Sequence, residues 1–139
     1  VDKPSVLFIC VKNAGKSQMA AALMRHFYGD SITVYSAGTT PGKTLNSESE
    51  TSVGELGATF EGEYPKAIDV EVLRNADAVV IIGKEAQVEG VPGQKSLIQR
   101  WDTDEPSLRG IEGEERMNLI RDELRARIVD LAKELLESE

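Results

Sequence analysis

The hydrophobic pattern changes period repeatedly along the chain, and each change marks an element. Residues 5–10, SVLFIC, form a continuous apolar run, too short for a helix and rich in strand formers. From Gly15 onward, Met19, Leu23 and Phe27 recur at helical spacing with Ala20 on the same face, and Gly29–Asp30 stops that helix. Residues 31–38, SITVYSAG, alternate as a strand ending in a glycine-containing turn. The loop TTPGKT leads to residues 46–57, which read as a weak helix with a serine- and acid-rich start. Residues 69–76 read as a short helix that Asp69 can cap, running into a second buried strand, DAVVIIG. KSLIQRW, residues 95–101, is the fourth strand, followed by the polar loop DTDEPSLRG. From Gly113 to the end, a long helix carries the stripe Met117, Ile120, Leu124, Ile128, Leu131 and Leu135.

Strands alternating with helices predict crossover connections and a parallel sheet covered on both faces. The expected fold class is therefore α/β: a four-stranded parallel sheet between helices in three layers. Its 139 residues suit one core, so residues 1–139 are read as a single domain without repeat or linker.

Composition narrows the function classes. The net charge of −8 argues against nucleic acid or an anionic membrane surface as a partner. An anionic ligand would have to be held by a local field that overrides the global one. A single cysteine excludes an intrachain disulfide and a multi-cysteine zinc site, and no other metal-ligand cluster can be assembled. No apolar run approaches the ~18 residues of a membrane span, and the opening VDKPSV lacks a signal-peptide pattern. A reducing cytoplasm is the expected location.

The one thiol, Cys10, ends the first strand and opens the loop CVKNAGKS. A strand–loop–helix unit puts such a loop at the carboxyl end of the sheet, where open α/β folds bind ligands. Backbone amides around Asn13, Ala14, Gly15, Lys16 and Ser17 can converge as a concave nest, with the helix N-terminus behind them. Ala14 and Gly15 are small enough for backbone to approach a tetrahedral oxyanion, and Lys12 and Lys16 add positive charge. The same surroundings favour Cys10 as a thiolate nucleophile facing an electrophilic tetrahedral centre. A nucleotide P-loop is disfavoured, because the first glycine of GxxxxGK[ST] would have to be Cys10. His26, near the end of the first helix, reads as a surface or packing residue, and Trp101 as packing under the polar loop.

CVKNAGKSQMA resembles the C-x5-R-S loop of the low-molecular-weight tyrosine phosphatases and, more closely, of the arsenate reductases that share their fold. YSAGT (residues 35–39), NADAVVIIG (residues 75–83) and RWDTDEPS (residues 100–107) continue the resemblance in order, the last where the family carries a W-x-x-x-D-P acid loop. The resemblance implies that Cys10 is the nucleophile and that Asn13 holds the loop's shape. It also implies that Ser17 hydrogen-bonds the thiolate and that the amides from Val11 to Ser17 bind the oxyanion. Ser36 would support the loop from the second strand, and Lys66 matches a lysine near the pocket in some reductases. Two departures stand out. Lys16 replaces the loop arginine, keeping a charge but losing a planar fork. Glu105 replaces the aspartate before proline; register from Trp101 makes Glu105 the general acid, with Asp104 and Asp102 close by.

A lone thiol cannot supply both electrons for arsenate reduction as an intramolecular disulfide. The segment after the third strand, where thioredoxin-coupled reductases carry further cysteines, has none here. The resemblance therefore implies no tightly bound cofactor and an external low-molecular-weight thiol, mycothiol foremost and glutathione next, with a mycoredoxin or glutaredoxin-like protein completing the cycle. The alternatives are a low-molecular-weight tyrosine phosphatase and a non-catalytic oxyanion-binding module.

Overall fold

A computed structural model describes residues 3–137. Its elements are β1 (Ser5–Cys10), α1 (Lys16–Tyr28), β2 (Thr33–Gly38), α2 (Ser47–Gly54), α3 (Val70–Asn75), β3 (Ala78–Ile82), β4 (Ile98–Trp101) and α4 (Gly113–Glu137). A 3₁₀ turn, Pro106–Arg109, follows β4. The four strands form one parallel sheet in the order β2-β1-β3-β4. This is the expected α/β architecture.

The apolar runs of β1 and β3 are explained by burial on both faces. Val6 and Phe8 of β1, with Val80 and Ile82 of β3, join the larger core beneath α1, α2 and α4. Leu7 and Ile9, with Val79 and Ile81, point to the opposite layer and pack with Leu73 of α3. Phe8 is fully buried against Trp101, ring centroids 5.7 Å apart, so truncating Phe8 to alanine would cost about 3–5 kcal/mol. The whole predicted stripe of α4, from Met117 to Leu135, is buried. Its continuation through residues 138–139 lies outside the described residues.

Element ends differ from the sequence expectation for local reasons. β4 begins at Ile98 rather than Lys95, because residues 94–96 are spent on other partners. Lys95 N–H donates to the Arg74 carbonyl and its ammonium pairs with Asp77, while Gln94 Nε2 donates to the Ser96 carbonyl. α2 stops at Gly54, and Gly57, at φ +93°, closes the turn beyond it. Phe27 does not share the buried face of Met19 and Leu23. It is 39% exposed, edge-on to His26 and beneath the Arg125 guanidinium, because the helix end has passed the edge of α4's apolar cover.

Sheet order positions the site. From β1 the chain passes through α1 to β2 on one side, then returns through α2 and α3 to β3 on the other. Loops leaving β1 and β3 diverge at such a switch point and open a crevice at the strands' carboxyl ends.

Candidate active site

Cys10 is the last residue of β1, half-buried at the floor of that crevice. The loop behind it curls around the sulfur because its carbonyls are held outward. The carbonyls of Cys10, Val11, Lys12 and Ala14 accept N–H bonds from Thr39, Thr40, Gly42 and Asn46, at 2.8–3.1 Å. Peptide planarity then turns the following N–H groups, of Val11, Lys12, Asn13 and Gly15, to the opposite side. One of these is seen in use: Asn13 N–H donates to Cys10 Sγ at 3.3 Å. Asn13 stands at φ +54°, the only left-handed non-glycine residue among those described. Asparagine tolerates that conformation better than most side chains.

The Asn13 side chain is fully buried and fixed from three directions. Its Oδ1 accepts from Gln18 Nε2 at 3.0 Å and from Lys66 N–H at 3.0 Å, with the Lys66 ammonium at 3.5 Å. That orients Nδ2 toward Ser17 Oγ, to which it donates at 2.8 Å. Ser17 Oγ lies 2.8 Å from Cys10 Sγ and, accepting from Asn13, is free to donate its own proton to the sulfur once Cys10 is a thiolate. The Asn13 N–H and the Ser17 hydroxyl thus stand within hydrogen-bond distance of the sulfur, an arrangement that suits an anionic acceptor.

Lys66 is brought to the loop and is not a solvated lysine. Its ammonium also reaches Ser36 Oγ (3.3 Å), Glu63 (3.0 Å) and the Tyr64 carbonyl (3.1 Å). Ser36 thus meets the loop through Lys66. Gln18, unremarked as a site residue from sequence, is fully buried and ties the Asn13 carbonyl and side chain to the Tyr64 carbonyl. In the sequence it is one more polar residue in a helix's first turn, and its burial is visible only in the fold.

Space behind the loop makes a demand on a further glycine, Gly38 of β2. A Cβ at Gly15 would meet Ser49 Oγ at an ordinary 3.5 Å, whereas one at Gly38 would lie 2.6 Å from the Val11 carbonyl and 3.0 Å from Asn13. Gly38 is what lets β2 pass so close behind the loop.

A cleft of about 920 Å³ opens over Cys10. Its walls are Val11, Lys12 and Lys16, the segment 82–86 after β3, the acid loop 102–105, Leu108, and Arg116 and Glu123 from α4. Among the described residues no cluster of His, Cys, Asp or Glu could hold a metal ion. Lys12 is exposed at the rim, while Lys16, at the start of α1, is half-buried.

In the acid loop, Glu105 caps the 3₁₀ turn, with Pro106 at its first position. Its Oε2 accepts from Ser107 N–H (3.1 Å), Ser107 Oγ (2.8 Å) and Arg116 Nε (2.7 Å). Its Oε1 accepts from Arg116 Nη2 (2.7 Å) and lies 3.6 Å from the Lys16 ammonium. The bidentate Arg116 guanidinium, helped by Ser107, holds this carboxyl well below the usual carboxylate range despite its partial burial. Asp104 is exposed and paired with Arg109 through both oxygens, at 2.6 and 2.8 Å. Asp102 is exposed and 3.6 Å from Lys84. Trp101 lies buried beneath this loop, and His26 is remote from the cleft lining. Arg116 was missed from sequence, because a lone arginine on the polar face of a long helix looks like any other.

A sulfur at the end of a central parallel strand, wrapped by inward-facing amides and faced by an acid loop, defines a cysteine-centred oxyanion site. The family model described as low molecular weight phosphotyrosine protein phosphatase matches residues 5–139, and the chain belongs to that family. Among its relatives is an arsenate reductase of Shouchella clausii, 30% identical over 96% of this chain and 98% of that protein. Another is an arsenate reductase of Bacillus cereus, 32% identical over 91% of this chain and 92% of that protein. The solved thioredoxin-dependent arsenate reductase of Corynebacterium glutamicum is 33% identical with a TM-score of 0.80, over 99% of this chain and 64% of that one. Within its family the chain stands among the arsenate reductases.

Proposed function

We propose that this protein reduces arsenate to arsenite with electrons from an external thiol. The observation that carries the reading is Cys10 Sγ at 2.8 Å from Ser17 Oγ and accepting from Asn13 N–H, inside a loop whose carbonyls are turned away. Arsenate sits against the amides from Val11 to Ser17, with Lys12 and Lys16 offsetting its charge. The Cys10 thiolate attacks arsenic and forms a sulfur–arsenic bond. One oxygen departs as water, its proton supplied from the acid loop by Asp104, because the Arg116 clamp keeps Glu105, the acid expected from register, ionised. An external thiolate then attacks the Cys10 sulfur, the sulfur–arsenic bond breaks, and arsenic keeps the electron pair and leaves as arsenite. Cys10 remains as a mixed disulfide, which a redoxin reduces by thiol–disulfide exchange. The two electrons thus come from two sulfurs, one from the protein and one from the co-substrate.

Two features support the small-molecule thiol, and a third supports thiol-based reduction in general. Cys10 is the only cysteine of the sequence, and the segment after β3 carries none. The cleft, at about 920 Å³, is far larger than a tetrahedral oxyanion and falls in the ~300–1,000 Å³ range of small-molecule sites. The C. glutamicum relative is described as thioredoxin-dependent, which points to thiol-based reduction in this group. Mycothiol with a mycoredoxin is the proposed pair, glutathione with a glutaredoxin-like protein the second.

The test is arsenite formation with each thiol–redoxin pair, with thioredoxin alone, and with an aryl phosphate in parallel, for wild type and Cys10→Ser. Thiol-dependent arsenite that vanishes in Cys10→Ser supports the proposal. Aryl phosphate hydrolysis without thiol would instead assign a phosphatase, and saturable phosphate binding with neither reaction a non-catalytic oxyanion module.

A further inference from the structure

Lys16 is a point charge on a flexible stem, where a planar fork would fix its own direction. Something else must aim it. Its ion partner is Glu105 Oε1, and Glu105 is itself immobilised by four hydrogen bonds, two from Arg116 and two from Ser107. Arg116 in turn stands on the first turns of α4, beside the buried Met117. Lys16, Glu105 and Arg116 are all only partly open to the cleft, with side-chain exposures of 25%, 28% and 26%.

We propose that Arg116 is a positioning residue of the oxyanion site, acting through Glu105: its guanidinium fork fixes the carboxylate that holds the Lys16 ammonium over the loop. The rigidity lost when lysine stands in the loop is recovered in a three-residue relay from α4. This rests on the oxyanion-binding reading above and assigns Glu105 a role in the resting site that is separate from proton delivery. The charged groups bearing on the relay are Lys16 from α1 and Arg116 itself from α4, with Glu112 and Glu48 acting on the guanidinium.

The test uses inorganic phosphate as the probe and its protection of Cys10 from iodoacetamide as the readout, so it does not depend on turnover. Four proteins are compared: wild type, Arg116→Lys, Glu105→Gln and the double variant. Arg116→Lys keeps the charge and removes the fork. Expected is a three- to tenfold weaker protection constant for Arg116→Lys in the wild-type background, and a change of less than twofold in the Glu105→Gln background. Protection in Arg116→Lys should also acquire a pH dependence in the ordinary carboxylate range that wild type lacks, since the unclamped Glu105 can then take up a proton. Equal weakening in both backgrounds would mean that Arg116 acts without Glu105 and would overturn the relay. So would lower thermal stability with unchanged protection and pH profile, which would make the clamp a structural tie only. Absence of protection in wild type would instead sink the oxyanion site itself, and protection without arsenite formation would sink only the reductase reading.

Discussion

The two walls of the cleft are built differently. On one side, Asn13, Ser17 and Gln18 are buried without exposure, and every loop carbonyl discussed above is anchored to the backbone following β2 or to a buried amide. On the other, Asp102 and Asp104 are exposed and the acid loop is held mainly by ion pairs with Lys84, Arg109 and Arg116. Geometry on the first wall is fixed mainly by packing and neutral hydrogen bonds, with the Lys66 ammonium as a charged support behind it, so salt and pH loosen it less. Geometry on the second depends on charge. The wall that must match a tetrahedral anion is the rigid one, and the wall that must exchange protons and admit a co-substrate is the adjustable one.

The sharpest way to break this contrast is Asn13→Ala. It removes the αL-tolerant side chain, leaves the Lys66 N–H without its acceptor and takes the Asn13 donor from Ser17 Oγ, so stability should fall by about 2–4 kcal/mol. Arsenate reduction should fall by about 10²-fold through misplacement of Ser17 and the loop amides. Asn13→Gly separates the two causes: it keeps the backbone conformation and should retain more stability than alanine while losing the same activity. Chemical denaturation and steady-state kinetics on both variants measure this.

Lys66→Met reaches the same wall from one residue further out. It deletes the ammonium contacts to Ser36, Asn13 and Glu63 but keeps the Lys66 N–H bond to Asn13. A charge-assisted hydrogen bond of about 1.5 kcal/mol corresponds to a roughly tenfold loss in kcat/KM, with thermal stability shifted less than by Asn13→Ala.

The charge-held wall should show itself through pH. Because Arg116 and Ser107 lower the folded-state value of Glu105 from its ordinary 4.5, the carboxylate contributes stability that is fully present above that value. The contribution is lost as pH falls below 4.5 toward the lower folded-state value. Glu105→Gln should therefore be about 1–2 kcal/mol less stable at pH 7, with the difference shrinking on acidification below about pH 4.5. Unfolding curves at several pH values measure the gap; a gap independent of pH would remove the ionic account of this wall.

The contrast also explains what could be read in advance. Strands, helices and the sheet were legible because burial on both faces of β1 and β3 writes unbroken apolar runs, and the buried face of α4 writes a regular stripe. The oxyanion loop was legible because Cys10 through Ser17 are contiguous. Phe27 was misplaced because helical periodicity does not say where a partner helix stops covering. Arg116, and the buried role of Gln18, depend on contacts made by folding: 11 residues separate Arg116 from Glu105, and 46 separate Gln18 from Tyr64. Ser36 and Lys66 were found by resemblance, but their meeting, 30 residues apart, was not visible in either segment.

The most direct test of the central claim is the rate at which iodoacetamide alkylates Cys10 as phosphate or arsenate is titrated at fixed pH and ionic strength. A loop that wraps a tetrahedral anion against the sulfur predicts saturable protection by both oxyanions and none by chloride at matched ionic strength. Alkylation that proceeds at the same rate with and without the oxyanions would contradict it.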